Sequence, residues 1–359
     1  MSKDYRIAVI AGDGIGMEVM PEGIKALKTV EEVLGGFHLT FEEFPWGTEY
    51  YLQNKRMMPP DGLKILEGFD AIYFGAVGMP SLAPDHITLW GLLLEIRQSF
   101  EQCINIRPVH LLPGVKGPLS GKGPADIDFI CVRENTEGEY AGAGGRLHVG
   151  TPYEVAIQTG IFTRYGTERV MRYSFELARS RPRKELTSAT KSNAWQYGMV
   201  FWDETFAKLA PEYPDVKTEK WHVDALSARF VTCPETFDVI VASNLFGDIL
   251  TDLGGAIHGG LGISASGNLN PERKWPSMFE PVHGSAPDIY GKYIANPVAM
   301  VWAGSLMLDF LGEKEAAQLI MDGIGRTVLE GNVLTRDLGG SATTFVMGDE
   351  IRANILKAR

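Results

Sequence analysis

Short apolar runs and helical patterns alternate along the chain from its start. Arg6–Ala11 is a compact run of Ile, Ala and Val that predicts a buried strand, and a glycine-rich turn then leads into a helical pattern over Met17–Leu34. Asp70–Phe74, Ile127–Val132, Glu185–Ala189, Lys220–Val223 and Phe237–Ala242 predict further strands, each bounded by polar residues or glycine. Helical patterns, among them Thr167–Arg179 and Ser192–Leu209, separate most of them. This alternation predicts an α/β fold with a largely parallel sheet. Glu139–Tyr153 breaks the pattern: it is Gly-rich with little helical period, and predicts a long loop or a protruding hairpin with Gly144-Gly145 as its turn.

Length and charge narrow the function. A chain of 359 residues predicts two lobes, since single cores rarely grow past roughly 250–300 residues. The net charge is −11 and no basic run occurs, which argues against nucleic acid as a partner. A few converging arginines would still hold a small anion. Cys103, Cys131 and Cys233 form no CxxC pair, so three reduced thiols are expected rather than a zinc–thiolate site or a disulfide framework. Met1–Tyr5 carries no basic stretch leading into an apolar signal region. The longest apolar stretch, Val298–Leu308, falls short of the roughly 20 residues a membrane span needs. The expectation is a cytoplasmic protein with no membrane partner.

Several segments offer chemistry. Gly12-Asp-Gly-Ile-Gly16 lies between a strand and a helix, but Met17 follows and no second strand end supplies an acid about twenty residues on, so the GxGxxG dinucleotide fingerprint is not met. Asp248 and Asp252 stand one helical turn apart on one face, with no Lys or Arg within a turn. Two readings stand at this point: oxygen ligands for a hard divalent cation, or early-helix acids favoured by the helix dipole. Arg97, Arg107 and Arg133 would clamp a dicarboxylate if they converge; singly each reads as an ordinary ion-pair arginine. Tyr140 and Lys191 are candidate proton carriers, the lysine only if its surroundings lower its pKa. Asp224 reads equally well as a helix N-cap. Glu280–Asp288 is a loop of small residues with His283 and Asp288, suited to phosphate and ribose, and an acid at 288 would favour NAD over NADP.

Taken in order, Gly12–Glu18, Gly75-Ala-Val-Gly78, Arg97, Asn105-Ile-Arg107-Pro108, Val132-Arg133-Glu134-Asn135 with Tyr140, Thr190-Lys191-Ser-Asn193, Asp224, Asn244–Asp252 and Glu280–Pro297 resemble the β-decarboxylating dehydrogenases, the isocitrate and isopropylmalate dehydrogenase family. The resemblance covers essentially the whole chain. It implies a two-lobed isopropylmalate dehydrogenase-like α/β fold, not a Rossmann fold. Residues 1–102 and 260–359 would form the large cofactor-binding lobe. Residues 103–259 would form a small lobe with a dimerisation arm at about 139–153. It further implies that Arg97, Arg107 and Arg133 grip substrate carboxylates. Asp248 and Asp252, with Asp224 of a second protomer, would hold Mg2+ or Mn2+. Lys191 of that protomer would take the hydroxyl proton, and Tyr140 would reprotonate the carbon that loses CO2. His283, Gly284, Ser285, Ala286, Asp288 and Asn296 would cradle NAD. The resulting partner is a second copy of the chain, in a homodimer with a shared active site.

Within the family, the residues before Arg97 are implied to face the substrate's variable group. Isopropylmalate members usually carry Glu seven positions before that arginine, where this chain has Trp90, and isocitrate members use Ser and Asn nearby, where it has Leu92–Leu94. Asp85–Leu93 and Phe279 are similar to the tartrate and D-malate branch, some of whose members K+ assists. The expected substrate is therefore tartrate or D-malate, with 3-isopropylmalate second. A non-catalytic regulatory subunit would be expected to lack one of the arginines, Lys191 or a metal carboxylate, and all are present.

Overall fold

A computed structural model describes residues 3–358; Met1, Ser2 and Arg359, which belong to the terminal segments read above, lie outside the described residues. Among the described residues twelve strands occur in chain order: β1 Lys3–Gly12, β2 Phe37–Glu43, β3 Ala71–Ala76, β4 Ile104–His110, β5 Asp128–Glu134, β6 Gly138–Leu147, β7 Val155–Ile161, β8 Glu185–Thr190, β9 Lys217–His222, β10 Val239–Ala242, β11 Ala265–Leu269 and β12 Ser277–Pro281. Ten form one sheet in the order β2-β1-β3-β12-β11-β4-β5-β10-β8-β9, while β6 and β7 pair with each other.

Two parallel blocks make up the sheet. β2, β1, β3 and β12 are parallel neighbours, and so are β5, β10, β8 and β9. Between them β11 and β4 each run antiparallel to both neighbours, so the blocks meet at a seam where chain direction reverses. The register places Met278, Asn268, Asn105 and Arg133 side by side across β12, β11, β4 and β5. Because side chains alternate along strands, Glu280, Ser266 and Arg107, each two positions away, point to the same face. This polar face at the seam positions the site.

Apolar packing covers the rest. Val298–Leu311 is a helix buried on nearly all sides, with Met300, Val301, Trp302 and Ala303 in the core, as expected of a helix apolar all round. It packs on the helices Gly16–Leu34 and Lys314–Glu330 and on β12. Among the described residues no helix is long and apolar enough to cross a membrane.

Helix Asn244–Ile257 follows β10 and lies on β5. Gly247 allows the approach, since a Cβ there would stand 2.6 Å from the Cβ of Arg133.

Two expectations need correction. Gly144 and Gly145 are not a turn: they pair with Gln158 and Ile157 inside the hairpin, and a Cβ on Gly144 would lie 2.2 Å from the Ile157 carbonyl. The reversal comes later, where His148 and Gly150 take positive φ and Thr151 N donates to His148 O. The strand expected over Lys220–Val223 is Lys217–His222, and Val223 opens a helix instead.

Candidate active site

A cavity of about 200 Å3 opens on the polar face of the seam, lined by all three arginines, Tyr140, Asp248, Ser266 and Glu280, with Leu89, Leu93 and Leu94 on its apolar side. Strand β4 supplies Arg107, the end of β5 supplies Arg133, and the helix Leu94–Ser99 supplies Arg97.

Asp248 is the meeting point. Its Oδ1 forms an ion pair with Arg133 Nη1 and lies 3.4 Å from Arg107 Nη2, and its Oδ2 accepts the Tyr140 hydroxyl at 2.9 Å. Asp252, one turn on and exposed, lies 3.8 Å from Arg107. Burial by itself pushes the Asp248 carboxyl up; Arg133 and Arg107 outweigh it and hold the group below its ordinary range. Burial and the neighbouring Arg107 lower Arg133 to about 10. Burial and the Asp248 charge raise the Tyr140 phenol, so it keeps its proton.

The arginines are anchored by neutral or acidic partners as well. Arg133 Nη2 donates to Asn244 Oδ1 at 2.7 Å and Arg107 Nη1 to Thr251 Oγ1 at 2.6 Å. Arg97 Nη2 pairs with Glu280 at 2.6 Å, and its Nε is buried without a partner among the described residues. Guanidinium groups so held present their remaining N–H groups to a bound anion at little reorganisation.

Trp90 is not among the residues lining this cavity. The segment Leu89–Leu93 is a π-helical turn, a device frequent at functional sites, and Leu89 and Leu93 line the cavity in place of Trp90. Trp90 packs on the hairpin, where a Cβ on Gly142 would lie 3.1 Å from its ring.

Lys191 and Asp224 lie elsewhere. They follow β8 and β9 and pair with each other at 2.7 Å, and neither lines the cavity. Asp224 sits in the first turn of the helix Val223–Thr232, where His222 holds the cap position. Among the described residues no three His, Cys, Asp or Glu side chains of one chain gather as a metal site. Asp248 and Asp252 together offer two carboxylates.

A second, mainly apolar cavity of about 630 Å3 adjoins the first: His283 and Gly284 line both. Ala286, Ile289, Asn296, Arg336 and Asp337 complete its wall. His283 Nδ1 donates to the Gly284 carbonyl, leaving buried Nε2 a lone-pair acceptor with no partner among the described residues. Such an orphaned acceptor suits a hydroxyl-bearing ligand. A Cβ on Gly284 would meet nothing, and Ala286 holds a positive φ of 41°, backbone strain of the kind that ligand loops carry. Asn296 donates to Asp337 at 2.9 Å, and the exposed Asp288 is not part of the lining. Ser285 is turned to structure: its hydroxyl donates to Gly78 O and its carbonyl accepts from Ile15 N. In the Gly12–Gly16 loop the Asp13 and Ile15 amides thus go to the Ala76 and Ser285 carbonyls, and the Gly16 amide to Asp13 O.

Sequence reasoning passed over Asn268 altogether. Leu89 stood inside Asp85–Leu93, and Asn244 and Thr251 inside Asn244–Asp252, segments already singled out.

A sequence profile of the isocitrate/isopropylmalate dehydrogenase family matches residues 6–351. The chain belongs to that family. Membership makes it an oxidoreductase, and the family expectation drawn from its motifs holds. It is 56% identical to D-malate dehydrogenase [decarboxylating] of Escherichia coli (strain K12), over 99% of this chain and 100% of that protein. It is 52% identical to tartrate dehydrogenase/decarboxylase of Pseudomonas putida, over 97% and 96% respectively. The family fold is shared with the crystal structure of isocitrate dehydrogenase from Methylococcus capsulatus, at a TM-score of 0.89 and 32% identity, covering 98% of this chain and 99% of that one.

Proposed function

We propose that this family member oxidises small 2-hydroxy dicarboxylates, tartrate and D-malate foremost, with NAD+ and Mg2+ or Mn2+, losing CO2 where the substrate allows it. The observation that carries this reading is the trio of arginines around Asp248 in a cavity of about 200 Å3, room for a short doubly charged acid. The names of the Escherichia coli and Pseudomonas putida relatives support the same substrates. A specific feature favours 3-isopropylmalate as the second reading: the wall of Leu89, Leu93 and Leu94 would suit a branched alkyl group.

In this reading Arg97, Arg107 and Arg133 bind and orient the carboxylates, using a fork geometry that matches them in pairs. Asp248 and Asp252 fit a hard divalent cation by their donor type, and Asp224 of a second copy would complete the set. Once bound there, the cation supplies Lewis acidity toward the substrate hydroxyl and its neighbouring carboxylate. NAD+, the hydride acceptor, would lie along the larger cavity. There His283 Nε2 would accept a hydrogen bond from the cofactor, Gly284 and Ala286 would give backbone access, Asn296 lines the wall, and Ser285 fixes the loop. Asp288 at its exposed turn opposes a 2′-phosphate. Lys191 of the second copy takes the hydroxyl proton. Tyr140, which keeps its proton beside Asp248, delivers it to the carbon that CO2 leaves.

Sharing the site requires a dimer. Two-stranded hairpins are marginal alone, and β6–β7 exposes Leu147, Val149, Tyr153, Val155 and Ile157, an apolar surface that a second copy would cover. Residues 1–102 with 260–359 would act as the cofactor lobe, closing on 103–259 to exclude water. K+ as an assisting ion and a cytoplasmic setting belong to the same reading.

A substrate panel tests it. With Mn2+ and NAD+, NADH absorbance should show higher kcat/KM on D-malate or tartrate than on 3-isopropylmalate. The reverse order would replace the substrate, and no NADH from any of the three would point to a non-catalytic member.

A further inference from the structure

Arg97 and Arg107 reach the cavity from different elements, yet an unbroken hydrogen-bonded chain joins them. Arg97 Nη2 donates to Glu280 Oε1 at 2.6 Å. The same oxygen accepts from Asn268 Nδ2 at 2.7 Å. Asn268 Oδ1 accepts from Asn105 Nδ2 at 2.9 Å, and Asn105 Oδ1 accepts from Arg107 Nε at 2.9 Å. Both amides and the carboxylate are buried, Asn105 and Asn268 fully. Asn268 Oδ1 also accepts from Asn135 Nδ2 at 3.0 Å, a branch that leads to Gln102 O and to neither arginine.

Every link has one permitted polarity. A guanidinium only donates and a carboxylate only accepts, so Asn268 must turn its NH2 to Glu280 and its oxygen to Asn105. Asn105 is then forced to turn its own oxygen to Arg107. A buried network of this kind rigidifies when complete and is costly when cut.

We infer that Asn268 is a positioning residue, the central link that fixes the spacing of the Arg97 and Arg107 guanidiniums for a dicarboxylate. The inference rests on the reading of these arginines as the substrate clamp. Asn268 itself touches no substrate; it acts through Glu280 and Asn105. Replacing it removes the support behind Glu280 and Asn105 at once, so the two guanidiniums lose their fixed spacing, which weakens the hold on the hydroxy acid and leaves the dinucleotide cavity untouched.

The test compares wild type with Asn268→Ser, which cannot span the links, and Asn268→Asp, which keeps the shape but sets a carboxylate against Glu280. Asn105→Ser cuts the same chain one link on and carries the test if the Asn268 variants fail to fold. Asn135→Ser removes only the branch. The readouts are calorimetric binding of malonate, an unreactive dicarboxylate, in the presence of Mn2+, KM for D-malate and for NAD+, and thermal unfolding. Cutting the chain should weaken malonate binding and raise KM for D-malate by roughly tenfold or more, the size of effect that supporting-residue changes produce, with kcat and KM for NAD+ within about threefold. Asn135→Ser should lower stability without moving malonate binding. Malonate binding unchanged in the chain-cutting variants, or equally weakened in Asn135→Ser, overturns the inference while the clamp stands. A wild type that binds no malonate and oxidises none of the hydroxy acids removes the clamp reading itself, and this inference with it.

Discussion

Lys191 donates its Nζ to Oδ1 of Asp224 at 2.7 Å at the β8–β9 end of the sheet, away from the cavity that Asp248 lines. The hydrogen bond from Lys191 holds the Asp224 carboxyl below its ordinary range. If each pair serves the site of a second copy, defects on opposite sides of that division should complement. Lys191→Ala and Asp248→Asn homodimers should each be inactive. Dissociated together and reassociated, they should recover about one quarter of wild-type activity, because half of a random mixture is hybrid and each two-fold-symmetric hybrid holds one intact site. A mixture as inactive as its parents would place Lys191 and Asp248 in the same site of one chain.

The cavity wall makes a prediction about selectivity. Leu93 lines it and Trp90 does not. Leu93→Ala should shift kcat/KM toward a bulkier 2-hydroxy acid by 10- to 200-fold, about 1–3 kcal/mol, as removed methylenes do. Trp90→Ala should alter the ratio little and instead loosen the contact with Gly142. A substrate panel on both variants checks this; a larger shift from Trp90→Ala would return that residue to the wall.

His258 gives the protein an acid-sensitive joint. It is buried at the end of the Asp248 helix, its Nε2 donating to Ser264 Oγ at 2.8 Å while the Ser264 hydroxyl donates to Gly260 O. Burial, joined by repulsion from His110 and opposed by the His110 carbonyl, lowers its pKa from 6.5 to about 4. Between those values the unfolded chain binds a proton that the folded chain refuses. Stability is therefore full above pH 6.5 and falls as the pH drops toward 4, by up to roughly 3 kcal/mol from this group. Denaturant unfolding of wild type and His258→Gln between pH 4 and 7 should show a shallower slope in the variant. Equal slopes would mean that His258 carries no such linkage.

Gly247 holds the helix that carries Asp248 and Asp252 against β5. Gly247→Ala places a methyl 2.6 Å from the Arg133 Cβ, against a side chain anchored by Asn244 and Asp248. Overpacking of this kind typically costs about 1–3 kcal/mol, and thermal unfolding should register it. Since the helix carries Asp248 and Asp252, the Mn2+ concentration needed for half-maximal activity should rise as well. Unchanged Mn2+ dependence would show that the helix absorbs the methyl without moving its carboxylates.

Much of this architecture is legible in the sequence, and the illegible parts share a cause. Strands such as Arg6–Ala11 and Phe237–Ala242 announce themselves because their side chains are apolar on both faces. β4 and β11 do not: Ile104-Asn-Ile-Arg-Pro108 and Ala265-Ser-Gly-Asn-Leu269 alternate polar with apolar residues and carry Pro or Gly. The alternation looks like a solvated face, yet Asn105, Arg107 and Asn268 are buried and satisfied by one another across strands far apart in sequence. The one-turn spacing of Asp248 and Asp252 marks the site locally, whereas Asn268 has no local signature at all. The place of Trp90 rests on its spacing from Arg97 by resemblance alone; the π-turn over Leu89–Leu93, which turns Leu89 and Leu93 to the cavity, has no signature in that spacing.

His283 and Gly284 form one partition between two chambers. Whatever fills one side dries and stiffens the wall of the other, so under the proposed function an acid in one and a dinucleotide in the other would be thermodynamically linked neighbours. Linkage is symmetrical: the factor by which either tightens the hold on its companion must be returned in equal measure.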